Sequence, residues 1–191
     1  EKIKVIPNGI DLDIYNHPHR TFNKNKIVVG FNYRDIDWKG SELYKSVFDK
    51  ICLLEGMEPV VLISENTNDS YFSSSRCLYP RNQNDVVSFY RECDLFIYLS
   101  MIEGFGLPPL EAMASGCVVL LIDSGGVMEF SIDQYNSFLV SGSQDDITNK
   151  LMLLLKNASL RKQTSYNAVS TANNFKIKKM LNQHLNYLNL N

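Results

Sequence analysis

Asp94-Leu95-Phe96-Ile97-Tyr98-Leu99-Ser100-Met101-Ile102-Glu103-Gly104-Phe105-Gly106-Leu107-Pro108-Pro109-Leu110-Glu111-Ala112-Met113-Ala114-Ser115-Gly116 is the stretch that carries the architecture of this chain. Asp94 to Tyr98 is an apolar run that reads as a strand. A loop with Gly104 and Gly106 follows, and glycine there lets the backbone come close to a ligand. Pro108 and Pro109 open a helix, because proline tolerates the first helical turn. Gly116 closes it. A strand, a glycine-bearing loop and a helix start aim free N–H groups and the positive end of a helix dipole at an anion. Glu103 stands before the loop and Glu111 early in the helix. Carboxylates repel phosphate and accept hydrogen bonds from hydroxyls, so the pair suits hydroxyl groups on either side of a bound anion.

The same rhythm extends outward. Strand-like runs cover Ile3 to Ile6, Ile27 to Phe31, Pro59 to Ile63 and Val118 to Ile122, with a shorter one from Arg76 to Tyr79. Helical spacing covers Ser41 to Leu54, Asp85 to Cys93, Pro109 to Ser115 and Gly126 to Ile132. Most strands are continuous apolar runs, as strands buried on both faces are. The alternation predicts an α/β fold: a Rossmann-like parallel sheet with helices on both faces. After Val140 the pattern is helical only, over Asp145 to Lys156, Leu160 to Asn173 and Ile177 to Leu190. In the last of these, Met180, Leu181, Leu185 and Leu188 form an apolar stripe that is expected to cover something. Ser64 to Ser75 reads as one long mobile loop.

At 191 residues, 45% hydrophobic and 21% charged, the chain can bury the core of one domain, residues 1–191. A net charge of −2 without a basic cluster argues against nucleic acid as a partner. No apolar run reaches the roughly 18 residues of a membrane span. The four cysteines, Cys52, Cys77, Cys93 and Cys117, are not spaced as a metal or redox motif. They are expected to be small buried residues in a reducing cytoplasm. His17, His19 and His184 are not spaced as ligands either, and no metal site is expected.

The run from Glu103 to Gly116 resembles the Glu-x7-Glu signature of retaining GT-B glycosyltransferases, family 4 in particular (glycosyl transferases group 1), and the resemblance spans essentially the whole chain. Val5-Ile6-Pro7-Asn8-Gly9-Ile10-Asp11 is similar to the family's entry into its C-terminal, donor-binding domain. Lys39-Gly40 is similar to the Lys-Gly after that domain's first strand. Gly125-Gly126 with Glu129 resembles a Gly-Gly-x-x-Glu turn, and Phe175 onward the closing aromatic and terminal helix.

The resemblance implies roles. Glu103 would contact the donor sugar and Glu111 the ribose, with the amides of Gly104, Phe105, Gly106 and Leu107 holding the diphosphate. Lys39 would bind donor phosphate, and Glu103 and Lys39 are the candidate catalytic residues. Tyr79 and Pro80 fall where the family meets the nucleobase. Gly125-Gly126 would either line the donor site or merely turn strand into helix. One departure stands out: the family's Gly-Arg at the end of the first strand is missing after Gly30, and Arg34 is expected to supply the second phosphate contact from a shifted position. The expected donor is a nucleotide-diphosphate sugar (UDP-, GDP- or ADP-linked), handled without metal or other cofactor in polysaccharide or glycoconjugate synthesis. The N-terminal acceptor-binding domain is expected to lie outside this chain, which begins without Met. Alone, the chain is expected to bind donor and transfer weakly, and the whole enzyme to associate peripherally with membranes at most. A nucleotide-sugar-binding module without catalysis, or half of a split enzyme, is the alternative. A GT-B sugar-nucleotide epimerase shares the fold and lacks the Glu-x7-Glu run.

Overall fold

The computed structural model describes residues 3–15, 22, 26–63 and 70–188. Among them a six-stranded parallel sheet is formed by β1 (Ile27–Tyr33), β2 (Met57–Ile63), β3 (Arg76–Leu78), β4 (Leu95–Tyr98), β5 (Val118–Ile122) and β6 (Phe138–Val140). The strand order is β3-β2-β1-β4-β5-β6, with every neighbouring pair parallel. The helices are α1 (Leu12–Tyr15), α2 (Ser41–Cys52), α3 (Gln83–Glu92), α4 (Leu107–Ala114), α5 (Gln144–Lys156), α6 (Ala158–Ala172) and α7 (Ile177–Tyr187).

Strand residues alternate between two cores, because successive side chains leave a strand on opposite faces. Phe31, Tyr33, Ile97, Leu120 and Val140 point to one face and meet Val47, Phe48 and Ile51 of α2 and Ile147, Leu151 and Leu154 of α5. Val60, Leu62, Phe96, Tyr98, Val119 and Leu121 point to the other and meet α3, α4 and α6. Both faces are therefore covered, which is why the strands read as unbroken apolar runs. The order of the strands reverses between β1 and β4. Chains leaving those two strands part in opposite directions, and the gap at their carboxyl ends is where open α/β sheets bind ligands.

Several expectations need correction. Ile3 to Ile6 is not a strand: Ile3 and Val5 are exposed. An apolar run needs a strand edge to pair with, and the bridge in this part of the chain comes only later, between Ile10 and Lys176 at the cap of α7. Gly126–Glu129 is a short 3-10 turn and no helix continues to Ile132. Three-residue β6 and four-residue α1 carry too short a pattern to be read beforehand. The stretch after β2 is not wholly loop: Ser70–Phe72 is a 3-10 turn. Its Phe72 is fully buried against Tyr33 and Phe48, with ring centroids 4.6 and 4.9 Å away; residues 64–69 lie outside the described part. Cys93 and Cys117 are buried, Cys77 is partly so, and Cys52 is exposed, because it ends α2 off the stripe formed by Tyr44, Val47, Phe48 and Ile51. The apolar stripe of α7 is mostly uncovered among the described residues: the helix has no buried residue, only Met180 of the stripe is half-buried, beside Pro7 and Asn8, and Leu181, Leu185 and the following Leu188 stand exposed.

Candidate functional site

The loops after β1 and β4 enclose a cleft of about 310 Å³ at the point where the strand order reverses. Arg34 and Lys39 line it from the β1 side, and Ser100, Glu103, Phe105, Gly106 and Leu107 from the β4 side. β1 continues two residues beyond the predicted end, to Tyr33. Arg34 is thus the first residue after the strand, not a mid-loop cation. Arg34 stands at the strand end and lines the cleft, with Tyr33 before it, so a Gly-Arg pair is absent here as well as after Gly30.

Lys39 closes a 3-10 turn, Asp37–Lys39, and Gly40 follows with φ +80. A Cβ at Gly40 would lie 2.5 Å from the Leu99 carbonyl oxygen, so glycine lets this turn settle on the end of β4. That brings the Lys39 ammonium to Glu103, with Nζ donating to Oε1 at 2.5 Å. The same oxygen accepts from the Tyr98 hydroxyl at 2.5 Å. Burial alone would push the Glu103 carboxyl upward. The hydrogen bonds from Lys39, Ser100 and Tyr98 outweigh it and hold the carboxyl below the usual glutamate range. The backbone of Glu103 is pinned as well: its N–H donates to the Ser124 carbonyl and its own carbonyl accepts from the Gly126 N–H.

Gly126 therefore has a definite task. A Cβ there would lie 2.4 Å from the carbonyl carbon of Gly104 and 2.5 Å from the Phe105 nitrogen. The Gly125-Gly126 pair packs beneath the Glu103 loop and supports it. Gly106 has φ +89 and caps α4 at the cleft; Pro108 and Pro109 carry no N–H, so the amides that this helix start can offer are those of Gly106 and Leu107. The Phe105 ring is buried with Phe130 and Phe175, at 5.5 and 6.0 Å. Phe105 thus offers the cleft its backbone while its ring anchors the loop. Gly104 has open space where a Cβ would be.

Glu111 is on the second turn of α4, outside the cleft lining. The Tyr90 hydroxyl donates to its Oε2 at 3.3 Å. Burial raises the Glu111 carboxyl above the usual range, and hydrogen bonds from Tyr15 and Tyr90 offset this only in part. Tyr79 and Pro80, after β3, line a separate cleft together with Arg81 and residues of α3. The structure thus brings Arg34, Lys39, Glu103 and the start of α4 together and sets Tyr79 and Pro80 apart. His17 and His19 lie outside the described residues, and His184 is exposed on α7.

Tyr98, Ser100, Asn8, Asn32 and Tyr44 also line the cleft, unanticipated as site residues. Tyr98 and Tyr44 read as core from sequence, and their rings are indeed buried. Only their hydroxyls reach polar groups: Tyr44 donates to the Ile97 carbonyl and accepts from the Leu99 N–H. A polar-tipped aromatic next to a predicted site loop was the available signal. Among the described residues, no three His, Cys, Asp or Glu side chains gather as a metal site, and no helix is long and apolar enough to cross a membrane.

Residues 16–171 match the family described as Glycosyl transferases group 1. The uncharacterized glycosyltransferase MJ1178 of Methanocaldococcus jannaschii is 33% identical over 97 residues, covering 50% of this chain and 28% of that protein. The capsular polysaccharide biosynthesis glycosyltransferase CapM of Staphylococcus aureus is 28% identical over 161 residues, 78% of this chain and 42% of that protein. The chain therefore spans less than half the length of these relatives. Among solved structures, the C-terminal domain of the group 1 glycosyl transferase LpcC from Francisella tularensis superposes with a TM-score of 0.74 at 24% identity, covering 88% of this chain and 100% of that one. Anabaena Alr3699/HepE in complex with UDP-glucose superposes with a TM-score of 0.81 at 22% identity, covering 97% of this chain and 57% of that one. At such identities these two superpositions speak for the fold.

Proposed function

Because the chain belongs to the glycosyl transferases group 1 family and has the fold of a GT-B C-terminal domain, we propose that it is the donor-binding domain of a retaining, family 4 glycosyltransferase. The observation that carries this reading is the meeting of Arg34, Lys39, Glu103 and the α4 N-terminus in one cleft at the sheet's switch point. Two cations and the backbone N–H groups of Gly106 and Leu107 at the helix start suit a diphosphate. A carboxylate held ionised beside them suits sugar hydroxyls. The support from relatives is that HepE was solved with UDP-glucose and with UDP.

In the proposed reaction the bond between the sugar's anomeric carbon and the diphosphate oxygen breaks. The acceptor's hydroxyl oxygen bonds to that carbon on the same face, and its proton passes to the departing diphosphate. Lys39, Arg34 and the Gly106 and Leu107 amides stabilise the charge that collects on the leaving group, and no metal is needed in this scheme. Glu111 would reach the ribose, and Tyr79 with Pro80 the base. The acceptor-binding domain would lie outside this chain.

A thermal-shift panel of UDP, GDP and ADP with their sugar conjugates tests the proposal. One nucleoside diphosphate should raise Tm, and its sugar conjugate should raise it further. No shift with any of them would overturn the donor-site reading.

A further inference from the structure

Lys39 and Glu103 are bonded to each other, yet each has a separate duty toward a donor. A diphosphate arriving in the cleft draws the Lys39 ammonium by charge and weakens its hold on Glu103. Something else must then keep the carboxylate in place. Tyr98 is the group so placed. It is on β4, two residues from Phe96 on the same sheet face, with the two rings stacked at 6.2 Å and 24°. The ring is buried, so its hydroxyl has little freedom. The hydroxyl is neutral, and burial together with the Glu103 charge raises it further from ionisation, so it remains a donor. A diphosphate therefore has no charge with which to draw it away.

Resting on the donor-site reading above, we propose that Tyr98 is the positioning residue of the sugar subsite: its hydroxyl holds Glu103 at the angle from which the carboxylate meets the donor sugar once Lys39 has turned to the diphosphate. The titratable and charged groups facing Glu103 are Lys39 from the 3-10 turn, Arg34 from the end of β1, Tyr44 from α2 and Tyr98 itself. Lys39 and Tyr98 share the same oxygen, Oε1, and Ser100 is the other hydroxyl that supports the carboxylate among the described residues. Without Tyr98, the ligand-bound carboxylate would lose a donor that the sugar cannot replace from the protein side.

The experiment is Tyr98→Phe, which keeps the ring and removes the hydroxyl. Calorimetry with UDP and with UDP-glucose measures the sugar's contribution as the ratio of the two affinities. A carboxyl-carbon NMR titration of Glu103 in the ligand-free protein measures its ionisation. The expected result is a preference for UDP-glucose reduced by about tenfold, the scale of one charge-assisted hydrogen bond. UDP affinity should change by less than about twofold, and the Glu103 midpoint should move upward. An unchanged preference overturns the proposal, whether or not the midpoint moves, because Tyr98 would then tune a charge without placing it. Failure of the wild-type chain to bind either probe would count against UDP-glucose as donor instead. The ligand-free titration then decides for Tyr98 alone: a static midpoint overturns its hold on Glu103, and an upward shift supports it.

Discussion

Lys39 lies half-buried against Glu103, so a ligand's phosphate must compete with an existing ion pair. The exchange favours a diphosphate over a neutral nucleoside because only charge repays the loosened contact. Lys39→Ala should therefore weaken UDP by about 1.5–3 kcal/mol while leaving uridine nearly unchanged. Arg34→Ala should show a smaller loss of the same kind, since Arg34 is more exposed and better screened. Calorimetry with both ligands checks this, and equal losses for UDP and uridine would remove both residues from the phosphate site. Glu111 invites a different measurement. Its folded carboxyl is raised by burial, so the folded state binds a proton more tightly than the unfolded chain. Stability attributable to this group is then full at low pH. It falls as pH rises from the ordinary glutamate value, roughly 4.3, through the raised folded value. Glu111→Gln abolishes that fall, so urea denaturation should show the variant gaining on the wild type across this window and holding the gain above it. UDP binding should drop by about 1.5–3 kcal/mol in the same variant if Glu111 meets the ribose. Parallel pH curves for the two proteins would show that folding leaves the proton affinity of Glu111 unchanged, against the upward shift expected from its burial. The carboxylates were legible beforehand because their spacing and flanking glycines are local. The tyrosines that hold them were not, because a Tyr on a buried strand or helix reads as core until the fold shows what its hydroxyl reaches.

At the level of elements, the glycines of the Glu103 loop divide into two kinds. Gly126 is fixed by the protein itself, since any Cβ would strike the Gly104–Phe105 peptide. Gly104 meets nothing within 4 Å, and its need for glycine, if any, comes from a ligand. Gly126→Ala should cost about 1–3 kcal/mol, the usual range for forced overpacking, and should lift the loop out of place. Gly104→Ala should change stability by no more than about 0.5 kcal/mol, as surface changes do. It should still weaken UDP if the loop backbone approaches the diphosphate. Denaturation midpoints beside UDP calorimetry separate the cases; intact UDP binding in Gly104→Ala would place the phosphates elsewhere. β1, β2, β4, β5 and the major helices could be placed from sequence because each carries an apolar run or a repeat long enough to read, while three-residue β3 showed only as a short, weak candidate. Phe138–Val140 could not, because three residues have no period. Ile3 to Ile6 misled for the opposite reason: apolar pattern is necessary for a strand, and a partner edge is what completes one. Arg34 read as a loop residue because β1 was expected to end at Phe31, whereas the strand runs to Tyr33. Asn32 is half-buried between Phe31 and Tyr33, and that single polar residue hid the last two strand positions.

For the molecule as a whole, the cleft and α7 point to the same expectation. The cleft at the carboxyl ends of β1 and β4 is open, and the Leu181, Leu185 and Leu188 stripe of α7 has no cover among the described residues. Matched relatives extend well beyond the span shared with this chain. If the acceptor is held by a second domain, this chain has the donor chemistry without the partner that makes transfer effectively unimolecular. Holding two reactants in register can remove roughly 7–11 kcal/mol of barrier in favourable cases. An open cleft also leaves the diphosphate in water, where each cation contact is worth less. The chain should therefore bind UDP or another nucleoside diphosphate measurably and transfer sugar at a small fraction of the rate reached when the same domain is joined to an acceptor-binding domain. Donor affinity should differ far less between the two proteins than turnover does, because Arg34, Lys39, Glu103 and the α4 amides all belong to this chain. Calorimetry and a transfer assay on both proteins make the comparison. Equal turnover would mean that residues of this chain hold the acceptor as well, with the exposed Trp38, Met101 and Ile102 beside the cleft the first place to look.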